Sequence, residues 1–244
     1  MKVSDNHRPL CEELDLYCTS HPRGSQINPK RRATHLVNGL SHGRKSFTTR
    51  VIDKEHVNAI LGSLGVPKDK IVKGIPHSCG ILGCGLSHAL AVAECIDSNA
   101  TSCAIFEDDF ELVRDPEEAK IAVERFFQSE PPSWEVLMLR AHAVMPSSPS
   151  PDFSHLDVIN ATLTASGYII HRSFAPKILE TFMEASYRLN ESNCSQAEYA
   201  HDVLWKRLQQ SGKWFALKPL VRKQRASYSD IEKRHVDYKV KLRL

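Results

Sequence analysis

Long apolar runs are missing from this 244-residue chain, and no stretch reads as a bilayer crossing. The opening residues carry proline, arginine and lysine and lack the apolar middle of a secretion signal. Charge of one sign is not in excess: 32 basic residues stand against 29 acidic ones, a formal +3 that leaves no nucleic-acid footprint. The clusters Arg222-Lys223-Gln224-Arg225 and Lys239 to Arg243 read first as solvated faces and second as contacts for a negatively charged substrate. Cysteine is too sparse, and at seven too odd in number, for a disulfide scaffold of this length, so Cys95 and Cys103 read as small buried residues. There is no internal repeat and no linker. What is present, 41% hydrophobic and 25% charged residues, is ordinary globular composition with enough apolar material for one core. Four N-x-[ST] sequons, at Asn99, Asn160, Asn190 and Asn193, exceed the chance expectation of about one. They favour a secretory lumen should a leader or anchor precede the chain, and a cytoplasmic location otherwise.

Periodicity divides the chain into an irregular arm, 1–33, and a single domain, 34–244. Thr34-His35-Leu36-Val37 predicts a first strand, and Asp53 caps a helix on Val57, Ile60, Leu61 and Leu64. Ile71-Val72 is a short strand. A glycine-rich turn, Gly80 to Gly85, then opens a helix from Leu86 to Asp97, with Gly83 and Gly85 letting the backbone turn so that Ser87 and His88 face a site. A strand at Cys103-Ala104-Ile105-Phe106 follows. Asp115, Pro116 and Glu118 form a helix start. Val136 to Leu139 is a strand, Pro146 to Pro151 a loop or mobile flap, and Tyr168-Ile169-Ile170 another strand before a helix capped by Ser173. One further helix, about Glu198 to Gln210 and closed by Gly212, precedes a strand at Trp214 to Leu217. Strands alternating with helices predict an α/β fold with a mostly parallel sheet. Tyr168 and Trp134 read as core aromatics.

Chemistry concentrates where the Cys103–Phe106 strand ends, at Glu107-Asp108-Asp109. Ligands bind beyond the carboxyl ends of strands in open α/β sheets. Clustered acids there suit a divalent cation that holds a diphosphate, although a solvated acidic turn has the same composition. His77, Cys79, Cys84 and His88 invite a zinc reading, but the cysteines are not two apart and His88 falls on a helix committed to packing; two packed thiols with ordinary histidines is the stronger alternative.

Gly83-Cys84-Gly85-Leu86-Ser87-His88, followed by Ile105-Phe106-Glu107-Asp108-Asp109, resembles the core signature of glycosyltransferase family 25. That family includes lipooligosaccharide galactosyltransferases and procollagen galactosyltransferases. Trp134-Glu135-Val136-Leu137, Ala165-Ser166-Gly167-Tyr168-Ile169-Ile170, Asp202-Val203-Leu204, Gln224-Arg225 and Ser229-Asp230-Ile231 match further segments in order. The resemblance spans roughly 34 to 232. It departs at the front, where Leu36-Val37-Asn38-Gly39-Leu40 with Arg44 and Arg50 matches only loosely.

The resemblance implies a GT-A-like nucleotide-binding sandwich and an inverting transfer of a hexose, galactose first, from a UDP-sugar with manganese or magnesium. It implies Asp109 as the direct metal ligand and Glu107 on the ribose, the metal or its water. Asn38, Arg44, Ser87, His88, Asp108, Gln224, Arg225, Ser229 and Asp230 would contact donor or acceptor. A base must take the acceptor hydroxyl's proton, and Asp202 or its neighbour His201 is the candidate; Asp202 is equally an acid placed for the helix macrodipole. The expected partners are a nucleotide-sugar donor and a glycan or protein acceptor, with no nucleic acid and no integral membrane segment. Two competitors are a non-catalytic relative that binds glycan or protein, and a metal-dependent phosphohydrolase.

Overall fold

The computed structural model describes residues 14–19, 47–48, 80–97, 100–107, 110–112, 115–129, 131–139, 142–143, 148–192, 195–219, 221–224, 226–229 and 234–236. Among them one sheet organises the fold. Its strands are β1 (Leu14–Thr19), β2 (Phe47–Thr48), β3 (Ser102–Glu107), β5 (Val136–Met138), β7 (Ser148–Pro149), β8 (Leu156–Val158), β10 (Gly167–His171) and β11 (Trp214–Leu217). They lie in the order β2-β1-β3-β10-β5-β11-β8-β7. Short pairs form beside it from β4 (Phe110–Leu112) and β12 (Arg222–Gln224), β6 (His142–Ala143) and β9 (Thr162–Leu163), and β13 (Ser227–Ser229) and β14 (Arg234–Val236).

The sheet is mixed, which corrects the expectation of a mostly parallel one. Three pairings are parallel and four antiparallel. The physical reason lies between β5 and β10. Parallel neighbours need a crossover, usually a helix, but the described chain passes from β5 to β10 through short strands and loops alone. β10 therefore enters running opposite to both β3 and β5.

Strict alternation along the central strands sorts side chains to two faces. Cys103, Ile105, Val136, Met138, Tyr168, Ile170, Trp214 and Ala216 join one cluster. It is covered by α1 (Gly80–Asp97), α3 (Ala175–Glu191) and the 3-10 segment Trp205–Ser211. Ala104, Phe106, Leu137, Ile169, Phe215 and Leu217 join the other, beneath α2 (Pro116–Ser129) and Trp134. The result is three layers. Each fully buried Ile or Phe in them contributes about 1.5–3 kcal/mol relative to exposure. Tyr168 and Trp134 are core residues, as read.

Several local expectations change. β1 forms inside the segment read as an irregular arm, where Leu14-Asp15-Leu16-Tyr17-Cys18-Thr19 alternates apolar and polar, and it pairs along the whole of β3. The helix expected at Leu86 starts at Gly80, so no glycine turn precedes Ser87. α1 is long and apolar enough to span a bilayer, which the sequence reading did not expect, but core helices share that character, and here it packs against α3 and the sheet. α2 starts as expected, its Glu117 amide donating to Asp115 Oδ1 at 2.9 Å. The Ser173 cap is replaced by a 3-10 turn, Arg172–Phe174, ahead of α3. The last helix is broken: α4 (Gln196–Tyr199) and α5 (His201–Leu204) flank an extended Ala200, ψ 143°, before the 3-10 segment ends at Gly212 with φ 72°. The proline-rich flap contributes an edge strand, β7. Cys95 and Cys103 form a disulfide joining α1 to β3, rather than standing as separate thiols. The strands and helix expected between Thr34 and Val72 lie outside the described residues.

Candidate active site at the end of the central strand

β3 ends at Glu107, between β1 and β10, and every residue of β3 before it is buried. Its amide donates to Ser166 O at 3.1 Å, which fixes the strand end against the loop that enters β10. The Glu107 side chain is only 15% exposed. It is therefore not the solvated acidic turn that composition allows. Asp108 and Asp109, next in the chain, lie outside the described residues.

The carboxylate of Glu107 meets residues from α1. Cys84 and His88 stand one helical turn apart, hence on the same face, and both are buried. Cys84 Sγ donates to Glu107 Oε1 at 3.7 Å, and His88 Nε2 lies 3.4 Å from the same oxygen. The other ring nitrogen, Nδ1, is 2.9 Å from the Tyr168 hydroxyl. A row thus runs from Tyr168 through His88 to Glu107. Burial, then the negative Glu107, then Cys84, hold the Tyr168 phenol well above its ordinary pKa, so it keeps its proton.

His201 completes the cluster. It opens α5, is 3% exposed, stacks on His88 with ring centroids 4.8 Å apart and meets Phe182 edge-on at 5.2 Å. Asp202 beside it is partly exposed, and its Oδ2 accepts from the Thr164 amide at 2.9 Å. Thr164 has a left-handed backbone, φ 77°, so Asp202 holds a strained turn two residues before Ser166. The same stretch is clamped by Gln209, which accepts from Thr162 N and donates to Thr162 O, and by the Trp205 indole donating to Thr162 O. Asp202 and Glu107 are thus tied to opposite ends of one short segment.

The remaining expected site residues divide. Ser87 is buried and its hydroxyl donates to Gly83 O at 2.9 Å, a bond within its own helix. Gln224 lies on β12, whose backbone pairs opposite Phe110, just beyond the acids, and Ser229 lies on β13 opposite Arg234. Asn38, Arg44, Arg225 and Asp230 are outside the described residues. Cys84, which meets Glu107, and Tyr168, which meets His88, carry no such role in the sequence reading. The four-residue spacing of Cys84 and His88 is the signal that marks the pair once the helix is known to begin before Cys84. A separate cavity of about 590 Å³, lined by Trp134, Glu135, His171 and Lys213 among others, opens at the opposite end of the sheet; His171 pairs with Ser102, the start of β3.

The model of glycosyltransferase family 25, described as an LPS biosynthesis protein family, matches residues 67–193, slightly more than half of the chain. No curated protein matches. Among solved structures the chain is similar to A197 from STIV, with 10% identity over 92% of this chain and 95% of that one and a TM-score of 0.43. It is also similar to mannose-1-phosphate geranyltransferase from Thermus thermophilus, with 10% identity over 84% and 73% and a TM-score of 0.45. Likenesses this distant say nothing about activity.

Proposed function

Because this chain belongs to glycosyltransferase family 25, we propose that it is an inverting, metal-dependent transferase with a GT-A-like site that moves a hexose, galactose first, from a UDP-sugar to a hydroxyl of a glycan or protein. Family membership makes it a glycosyltransferase; donor, metal and acceptor belong to the proposal. The observation that carries it is the position of Glu107: it ends a buried central strand, is fixed there by Ser166, and immediately precedes Asp108-Asp109. Carboxylates are the hard oxygen donors that manganese or magnesium take, and Asp109 with Glu107 would hold such an ion. When bound, it neutralises charge on the departing nucleoside diphosphate.

The chain's own residues then do three things. His88 and Cys84 orient Glu107 from beneath. Asp202, anchored through Thr164 to the same loop, takes the proton of the attacking hydroxyl; its partial exposure suits it to this better than the buried His201 ring. The β12 strand brings the backbone of Gln224 beside Phe110, which supports a role for the 224–230 stretch at the donor, with Asn38, Arg44, Arg225 and Asp230 as further contacts; Ser87, buried and bonded within α1, is not among them.

The test is turnover. The full chain is incubated with UDP-galactose, UDP-glucose and UDP-N-acetylhexosamines, with manganese and with acceptors bearing hydroxylysine or terminal sugars, and UDP release is assayed. Release that requires both metal and acceptor is expected. Nucleotide binding without turnover on any donor would favour a binding module, and phosphate release from simple phosphoesters a phosphohydrolase.

A further inference from the structure

We propose that Cys84, His88 and His201 form an internal zinc site with Glu107 Oε1 as its fourth ligand, while Glu107 Oε2 serves, with Asp109, the separate cation at the donor. The ligand atoms of Cys84, His88 and His201 all lie within 4.8 Å of one another, and all three residues are buried. Glu107 Oε1 lies 3.7 Å from Cys84 Sγ and 3.4 Å from His88 Nε2. Tetrahedral zinc with bonds of about 2.0–2.3 Å sets its ligands about 3.3–3.7 Å apart. Two edges of that tetrahedron are therefore already at length around Glu107; the trio of Cys84, His88 and His201 closes by up to about 1 Å on binding, and the Glu107 side chain turns toward His201.

The donor set selects the metal. One sulfur, two imidazole nitrogens and one carboxylate oxygen suit zinc, whereas manganese and magnesium take oxygen. The charges balance as well: a thiolate and a carboxylate offset the two positive charges of the ion, and the histidines bind as neutral rings. Binding displaces the thiol proton and leaves the His88 proton on Nδ1, where it donates to the Tyr168 hydroxyl 2.9 Å away. An oriented second nitrogen of this kind is the usual support of a ligating histidine. Four protein ligands close the site, so the role is structural: the ion ties α1, the end of β3 and the start of α5 together. His77 and Cys79, grouped with Cys84 and His88 in the sequence, lie outside the described residues; the fold brings His201 and Glu107 to Cys84 and His88.

The inference rests on this geometry and not on the transferase reading. The full chain, stripped with chelator, is titrated with cobalt(II). One equivalent should produce a thiolate-to-cobalt charge-transfer band and the intense visible absorption of tetrahedral cobalt, both abolished by zinc. Cys84→Ser should lose the charge-transfer band, and His201→Gln should weaken zinc binding by at least about tenfold, whereas Cys79→Ser and Asp109→Asn should retain the band. Zinc-edge X-ray absorption on the unmutated protein, which needs no variant to fold, should show a single sulfur among four nearest ligands. An all-oxygen shell, absence of stoichiometric zinc, or a band that survives Cys84→Ser would overturn the site. Loss of UDP release in Asp109→Asn with the cobalt spectrum intact would separate the two metals; failure of turnover alone bears only on the transferase.

Discussion

Asp202 carries two jobs that one substitution separates. Its Oδ2 accepts from Thr164 N and so holds a left-handed residue next to β10; as a base it would accept a proton from the acceptor. Asn keeps an acceptor oxygen but is no base. Asp202→Asn is expected to leave the urea midpoint nearly unchanged while lowering kcat by about 10²-fold or more. Full turnover in that variant would reduce Asp202 to its loop-holding role. Asp109 is tested in the same spirit. Loss of one oxygen ligand should abolish metal-dependent UDP release in Asp109→Asn without altering the circular dichroism spectrum, and retained activity would remove Asp109 from the metal site. The contacts of Glu107 were hidden in the sequence because they come from segments far apart in the chain: Cys84 and His88 on α1, and Ser166 in the loop before β10.

At the scale of elements, α1 tolerates a change its sequence seems to forbid. Gly83 reads as a turn glycine but sits inside the helix, and a Cβ there would meet nothing within 4 Å. Glycine costs a helix interior about 0.5–1 kcal/mol against alanine, so Gly83→Ala should raise the unfolding free energy by about that amount. Should turnover fall while stability rises, the open space before Gly83 is used by a ligand. α3 is held to the 3-10 segment by Glu184, which pairs with Arg207 and Arg188. Arg207 chiefly, partly opposed by desolvation and helped by Arg188, lowers the Glu184 pKa. A folded pKa below the unfolded one means that the contribution is present above the unfolded value and is lost as pH falls through the folded one. The groups are substantially solvent-exposed, so Glu184→Gln should cost no more than about 1 kcal/mol at pH 7. In acid, below the folded pKa, the difference from the parent should vanish in parallel denaturation curves.

The whole molecule is stapled where the sequence offered only two small residues. Cys95 and Cys103 close a short loop, with a sequence separation of 8, from the end of α1 to the start of β3. In the chain-entropy account a loop of that length is worth about 2.5 kcal/mol. The double variant Cys95→Ala/Cys103→Ala, or the reduced parent, should therefore unfold at lower denaturant than the oxidised protein, with the two curves coinciding. Coincidence of oxidised and reduced curves instead would mean that the bond does not form in solution. Disulfides persist in oxidising compartments.

Much of this architecture was legible because it is local. β3, β5, β10, β11, α2 and the Gly212 terminus follow from apolar runs, an Asp-Pro start and a left-handed stop, signals confined to neighbouring residues. The signature around Cys84–His88 and Glu107–Asp109 likewise placed the family from short words in order. Strand direction, the Cys95–Cys103 bond and the helical state of Gly83 were not legible, since each depends on what packs alongside. Sequence by itself determined which residues are buried on which side of each strand and which acids end β3, because side-chain alternation is a property of the backbone. Only the tertiary structure decided that β10 runs backwards beside β3 and that His88, His201, Cys84 and Glu107 meet, because contacts between distant segments are set by the packing of layers and not by spacing along the chain.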